Sequence, residues 1–113
     1  MTAEMARDLI GGYEAKYKAE YAINAEAYER LMNLCELADM LFEEFSADPI
    51  DIQISMSQAY GAILIYTDDL IFKRGRSHPF FTSIKDADFL KFSKSDSGML
   101  QTKFGVNNLW VKK

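Results

Sequence analysis

The hydrophobic pattern of the chain changes once, at a proline. From Thr2 to Phe45 the sequence is rich in Ala, Glu, Leu and Met and poor in β-branched residues, a composition that favours helix. Wound at ~100° per residue, Ile10, Tyr13, Tyr17, Tyr21, Tyr28, Leu31, Cys35, Ala38 and Phe42 share one face. Before Tyr28 this stripe is narrow and rich in tyrosine; after Arg30 it widens as Leu34, Leu37 and Leu41 add a flank. A narrow stripe suits a seam against another helix, and a wide arc suits a helix laid on a sheet. Thr2 stands where it can cap the start, and Glu4 suits the positive end of the helix dipole. Ser46-Ala47-Asp48-Pro49 ends the segment, because proline disfavours helical geometry in the residue before it.

Length limits what such a helix can do. Unbroken, it would run ~65 Å at ~1.5 Å per residue. A compact chain of 113 residues spans only ~35 Å. Two breaks are available, at Gly11-Gly12 and around Ile23-Asn24. The stripe keeps its phase through Asn24, which favours a first half that projects and pairs with another chain. Folding back at one of the breaks is the alternative.

After Pro49 the period becomes two. Ile50, Ile52, Ile54 and Met56 alternate with polar residues, as in a half-buried strand. Gln58-Ala59-Tyr60-Gly61 turns, and Ala62 to Thr67 is apolar on both faces, as a central strand is. Asp68-Asp69 suits a hairpin loop into Leu70–Arg74, and Phe80–Thr82 reads as a short edge strand. Ser83 to Asp86 has capping-box spacing. Phe89–Lys94, Met99–Val106 and Leu109–Val111 complete the strands, with a turn at Asp96-Ser97-Gly98. The predicted fold class is α+β. One long N-terminal helix, or two helices, precedes a five- or six-stranded antiparallel meander curled around it. Residues 1–113 form a single domain, helical over 1–48 and sheet over 49–113.

Hydrophobic residues at 49% and charged residues at 27% exclude a disordered or collagen-like chain. No apolar run approaches the ~20 residues of a membrane span. The start lacks the basic and apolar regions of a signal peptide. The expectation is a soluble cytoplasmic protein with no membrane partner. Charge is unevenly spread: residues 1–50 hold 4 Lys/Arg and 11 Asp/Glu, whereas residues 51–113 hold 9 and 6.

Little in the chain assembles chemistry. One cysteine and one histidine cannot build a zinc site alone, and no metal, cofactor or catalytic set is singled out. Cys35, on the apolar face beside Glu36, reads as a buried core thiol rather than a nucleophile. Asp68-Asp69 and Asp86/Asp88 lack the further oxygen ligands of a calcium loop and read as turn and cap residues. Gly11-Gly12 lacks the flanking strand and Lys-Ser/Thr of a phosphate loop.

The functional expectation follows from the tyrosines. Tyrosine joins a large contact area to a hydroxyl that tolerates water, so it suits interfaces. Tyr13, Tyr17, Tyr21 and Tyr28 are the candidate interface of a non-enzymatic interaction or regulatory module. Its expected partner is a second copy or another protein. The alternative is a nucleic-acid or anion binder using the basic loop of Lys73, Arg74, Arg76 and His78 with Lys85, and Lys91, Lys94 and Lys103 on later strands. A further alternative is a small-ligand pocket between helix and sheet, bordered by Tyr28, Tyr66 or an aspartate.

Overall fold

The helical half of the chain turns back on itself. The computed structural model describes residues 1–45, 50–67, 86–94 and 100–113. Its elements are α1 (Thr2–Tyr17), β1 (Tyr21–Ile23), α2 (Ala25–Phe45), β2 (Ile50–Ser55), β3 (Tyr60–Thr67), β4 (Phe89–Lys94), β5 (Leu100–Val106) and β6 (Trp110–Lys112). These two helices followed by antiparallel strands make the α+β class that the pattern predicts.

The projecting arm does not form. Of the two candidate breaks, Gly11-Gly12 stays helical within α1, and the chain leaves the helix between Tyr17 and Ala25. The in-phase stripe was misleading because the residues between the helices turn at 18–20 and then run extended over Tyr21–Ile23. Tyr21, Ala22 and Ile23 pair antiparallel with Lys112, Val111 and Trp110. Asn24 then restarts the helix, its side-chain oxygen accepting from the N–H groups of Glu26 (3.2 Å) and Ala27 (3.4 Å). That satisfies donors left without partners at a helix start. The longest extent of the molecule is 45 Å, too short for the rod an unbroken helix would make.

α1 lies back along α2, and its start meets the second half of its neighbour. Thr2 is not its own helix's cap: Met1 occupies that position and makes no side-chain capping bond. Asp39 of α2 does the work from outside, accepting from the Thr2 hydroxyl and from its N–H at 3.2 Å. A carboxylate there also opposes the positive end of the α1 dipole.

The strands form two sheets. β1 pairs with β6, and the larger sheet has the order β2-β3-β5-β4, all antiparallel. β3 and β4 are therefore not neighbours; β5 lies between them. Buried along its whole middle, β3 takes the central place, and β4, with exposed Lys91 and Lys94, stands at the edge of the described strands, where charge deters further pairing. The expected hairpin at Asp68-Asp69, the strands at 70–74 and 80–82, the helix terminator at 46–49 and the turn at 96–98 lie outside the described residues, as do the side chains of Leu41 and Phe42.

One face of the larger sheet carries Ile52, Ile63, Ile65, Phe104 and Val106 against Ala6, Ile10, Leu31, Leu34, Cys35 and Ala38 of the helices. Each large side chain so enclosed contributes ~1.5–3 kcal/mol. Two glycines set how close the layers come. A Cβ on Gly61 would stand 2.8 Å from Leu31 and 2.9 Å from Leu109, so the bare position admits both leucines. A Cβ on Gly105 would stand 2.1 Å from the Gly61 carbonyl oxygen, so β3 and β5 can approach only without it. Gly105→Ala is expected to destabilise the fold by about 1–3 kcal/mol, the usual range for overpacking. Urea denaturation followed by circular dichroism checks this; an unchanged midpoint would contradict the close approach.

Candidate interaction surface

The four tyrosines fall on three elements. Tyr13 and Tyr17 stand on α1, Tyr21 on β1 and Tyr28 in the first turns of α2. All four are half-buried, and Tyr13, Tyr21 and Tyr28 pack on the core with part of each ring. The structure brings Tyr13 and Tyr17 together. One helical turn apart, their rings stack with centroids 6.2 Å apart and planes 21° apart. Lys16 places its ammonium 5.4 Å from the Tyr17 ring centroid, within cation–π range.

Tyr13 borders two depressions. On one side an open groove of about 540 Å³ runs between Tyr13 and the β2–β3 hairpin, along residues 53–58 and Tyr60. On the other a smaller one of about 230 Å³ is bounded by Asp8, Leu9, Gly12, Tyr13 and Lys16. Met5 and Leu9 flank this side of α1 and are 46% and 37% exposed. Sequence periodicity drew attention to the tyrosines and missed this second face. Its signal was the i, i+4 run Met1, Met5, Leu9 beside a glycine pair that no turn requires.

The remaining candidates separate. Cys35 is fully buried; burial, then the charge of Asp39, pushes its thiol up to about 12, so it stays protonated and inert. Tyr28 packs with the core, whereas Tyr66 alternates with core-facing Ile65, so the two fall on opposite sides of the sheet. Lys73, Arg74, Arg76, His78 and Lys85 lie outside the described residues. On the outer face, Lys103 and Lys91 are cross-strand partners. The Lys103 ammonium sits 4.8 Å from the Tyr60 ring centroid, and Tyr60 meets Phe89 edge-on at 6.0 Å. Among the described residues no three His, Cys, Asp or Glu side chains are grouped to hold a metal ion. No described helix is long and apolar enough to cross a membrane.

Asp88 is a structural carboxylate. One oxygen accepts from Arg30 of α2 at 2.9 Å and the other from the Asn107 N–H at 2.7 Å. Arg30 also donates to the Asp86 carbonyl at 3.2 Å. The contact thus ties α2 to the entry of β4 and to the turn after β5. Sequence spacing alone offered no sign of it, since Arg30 and Asp88 are 58 residues apart. Comparison with known proteins returns no matching family model, no matching curated protein and no matching solved structure.

Partial burial pushes the Asp88 carboxyl up, but the Arg30 hydrogen bond, the Asn107 N–H and the guanidinium charge outweigh it and hold it below its ordinary 3.8. A lowered native value contributes stability above the ordinary carboxylate range and loses it as pH falls through the native value. Asp88→Asn is accordingly expected to be less stable than the native chain at neutral pH. The difference should narrow as pH falls below 3.8. Denaturant midpoints measured across that range check it; a constant difference would remove the role given to this ion pair.

Proposed function

We propose that the protein is a non-enzymatic interaction module that self-associates through the tyrosine-bearing end of α1. One observation carries this reading: the stacked Tyr13–Tyr17 pair is half-exposed on a helix whose outer side also presents Met5 and Leu9 to solvent. Aromatic rings and methionine are what interface cores collect from a protein surface, with charged residues moved to the rim. Here Lys16 and Asp8 stand at the margin of the same surface. Tyr21 and Tyr28 belong to this reading through the layer they support, β1 and the start of α2, next to which α1 ends. The geometry differs from a protruding rod: the helix is docked on its own subunit and offers one flank.

A second reading has its own observation. Lys91 and Lys103 stand opposite each other on the outer sheet face, beside Tyr60 and Phe89. Like charges directly across a strand pair repel, and a bound anion would relieve them. Lys73, Arg74, Arg76, His78 and Lys85 remain the sequence's candidates for the same anion reading.

Tyr17→Asp is expected to weaken self-association while leaving the far-ultraviolet spectrum and thermal midpoint near those of the native chain. Light scattering across a concentration series reads the first, circular dichroism the second. A native chain that stays monomeric throughout would refute the association. The anion reading predicts binding of single-stranded oligonucleotides that falls steeply with salt, by release of counterions. No shift in fluorescence anisotropy at ~50 mM salt would end it.

A further inference from the structure

Gly11 and Gly12 lie inside α1, and, apart from their own chain neighbours and adjacent helix backbone, no described residue comes within 4 Å of where a Cβ on either would stand. Glycine within a helix costs ~0.5–1 kcal/mol relative to alanine, and no packing among the described residues explains that cost. Around Gly12 the helix surface is dished, with Asp8, Leu9, Tyr13 and Lys16 at the margin. Asp8 and Lys16 are exposed, opposite in charge, and stand four positions either side of Gly12.

That arrangement matches its own image. Turned end for end about Gly12, a second α1 sets each Asp8 against the Lys16 of the other copy. A parallel arrangement would oppose Asp8 to Asp8 and Lys16 to Lys16. Antiparallel helices also oppose their dipoles favourably. We propose that two copies of the chain dock through α1, antiparallel, with a two-fold axis passing at Gly12. Such an interface is isologous: the same patch serves both subunits. The proposal rests on the self-association reading above and specifies its geometry. A helix of 16 residues offers a strip only ~24 Å long, so the dimer is at the small end of specific interfaces and dissociates on dilution.

Charge reversal tests it. Asp8→Lys and Lys16→Asp singly each turn two attractive pairs into repulsive ones, and about a tenfold or greater weakening of dimerisation is expected from each. The double variant, Asp8→Lys with Lys16→Asp, restores both pairs and is expected to return to within a few-fold of the native dimer. Gly12→Leu, a better helix former, is expected to raise the thermal midpoint of the monomer and still abolish the dimer. Sedimentation equilibrium measures each association, with circular dichroism as the check on folding. A native dimer weakened by Tyr17→Asp but indifferent to both charge reversals, or a double variant no better than the singles, overturns this geometry and leaves the self-association reading standing. A native chain monomeric at every concentration overturns both.

Discussion

The structure depends on the reversal between the two helices being stapled by the far end of the chain. Seven residues, Lys18 to Asn24, separate α1 from α2, and the extended ones among them, Tyr21–Ile23, would left to themselves have little reason to stay so. They are fixed by backbone pairing. The Asn24 N–H donates to the Leu109 carbonyl at 2.9 Å, and the Lys113 N–H donates to the Glu20 carbonyl at 2.8 Å. Leu109 in turn donates its N–H to Ala59 at the β2–β3 turn, at 2.8 Å. Helix reversal, last strand and hairpin turn are therefore one connected unit. Its bonds join residues far apart in sequence, so forming them carries a large loop-closure cost.

The same junction explains why the core has its shape. Ala59 and Asn108 both adopt φ of 56°, a conformation that costs alanine about 1–2 kcal/mol and that asparagine takes more readily. Each sits beside the contact that needs it, where the hairpin turn meets the β5–β6 turn. Two positions on, Gly61 leaves the space that Leu31 and Leu109 fill. The backbone strain and the missing side chain serve one end: bringing α2 down onto β3 where the two sheets meet. The Arg30–Asp88 contact closes the other side of this layer at β4.

Much of the fold was legible in the pattern, because most elements bury one face. Ile50 to Ser55 alternates cleanly and is a strand; Leu31, Cys35 and Ala38 repeat at helical spacing and lie inside. β4 and β5 fall close to their predicted bounds. The reversal was harder to read. Tyr21-Ala22-Ile23 is three residues long and keeps helical phase, and what holds it extended is β6, nearly ninety residues later. Pairing at that range leaves no local mark. Strand order was hidden for the same reason: nothing in β4 or β5 alone states which of them adjoins β3. Of the candidate surface, the tyrosines were visible by type and spacing, but their division among three elements followed from the reversal.

Of the two helices, α1 is the less committed to its own subunit. Across 16 residues it encloses Thr2, Ala6 and Ile10, only one of them large. α2 by contrast encloses Ala27, Leu31, Met32, Leu34, Cys35 and Ala38. The difference in apolar burial means that α1 opens locally at far smaller free energy than α2 does. A helix so held, with glycines in its middle and an exposed apolar flank, gains stability from anything that covers that flank, by mass action. Weak anchoring and an open interaction face are thus one property of α1. A better-buried helix would have its large residues turned inward and nothing left to offer a second chain.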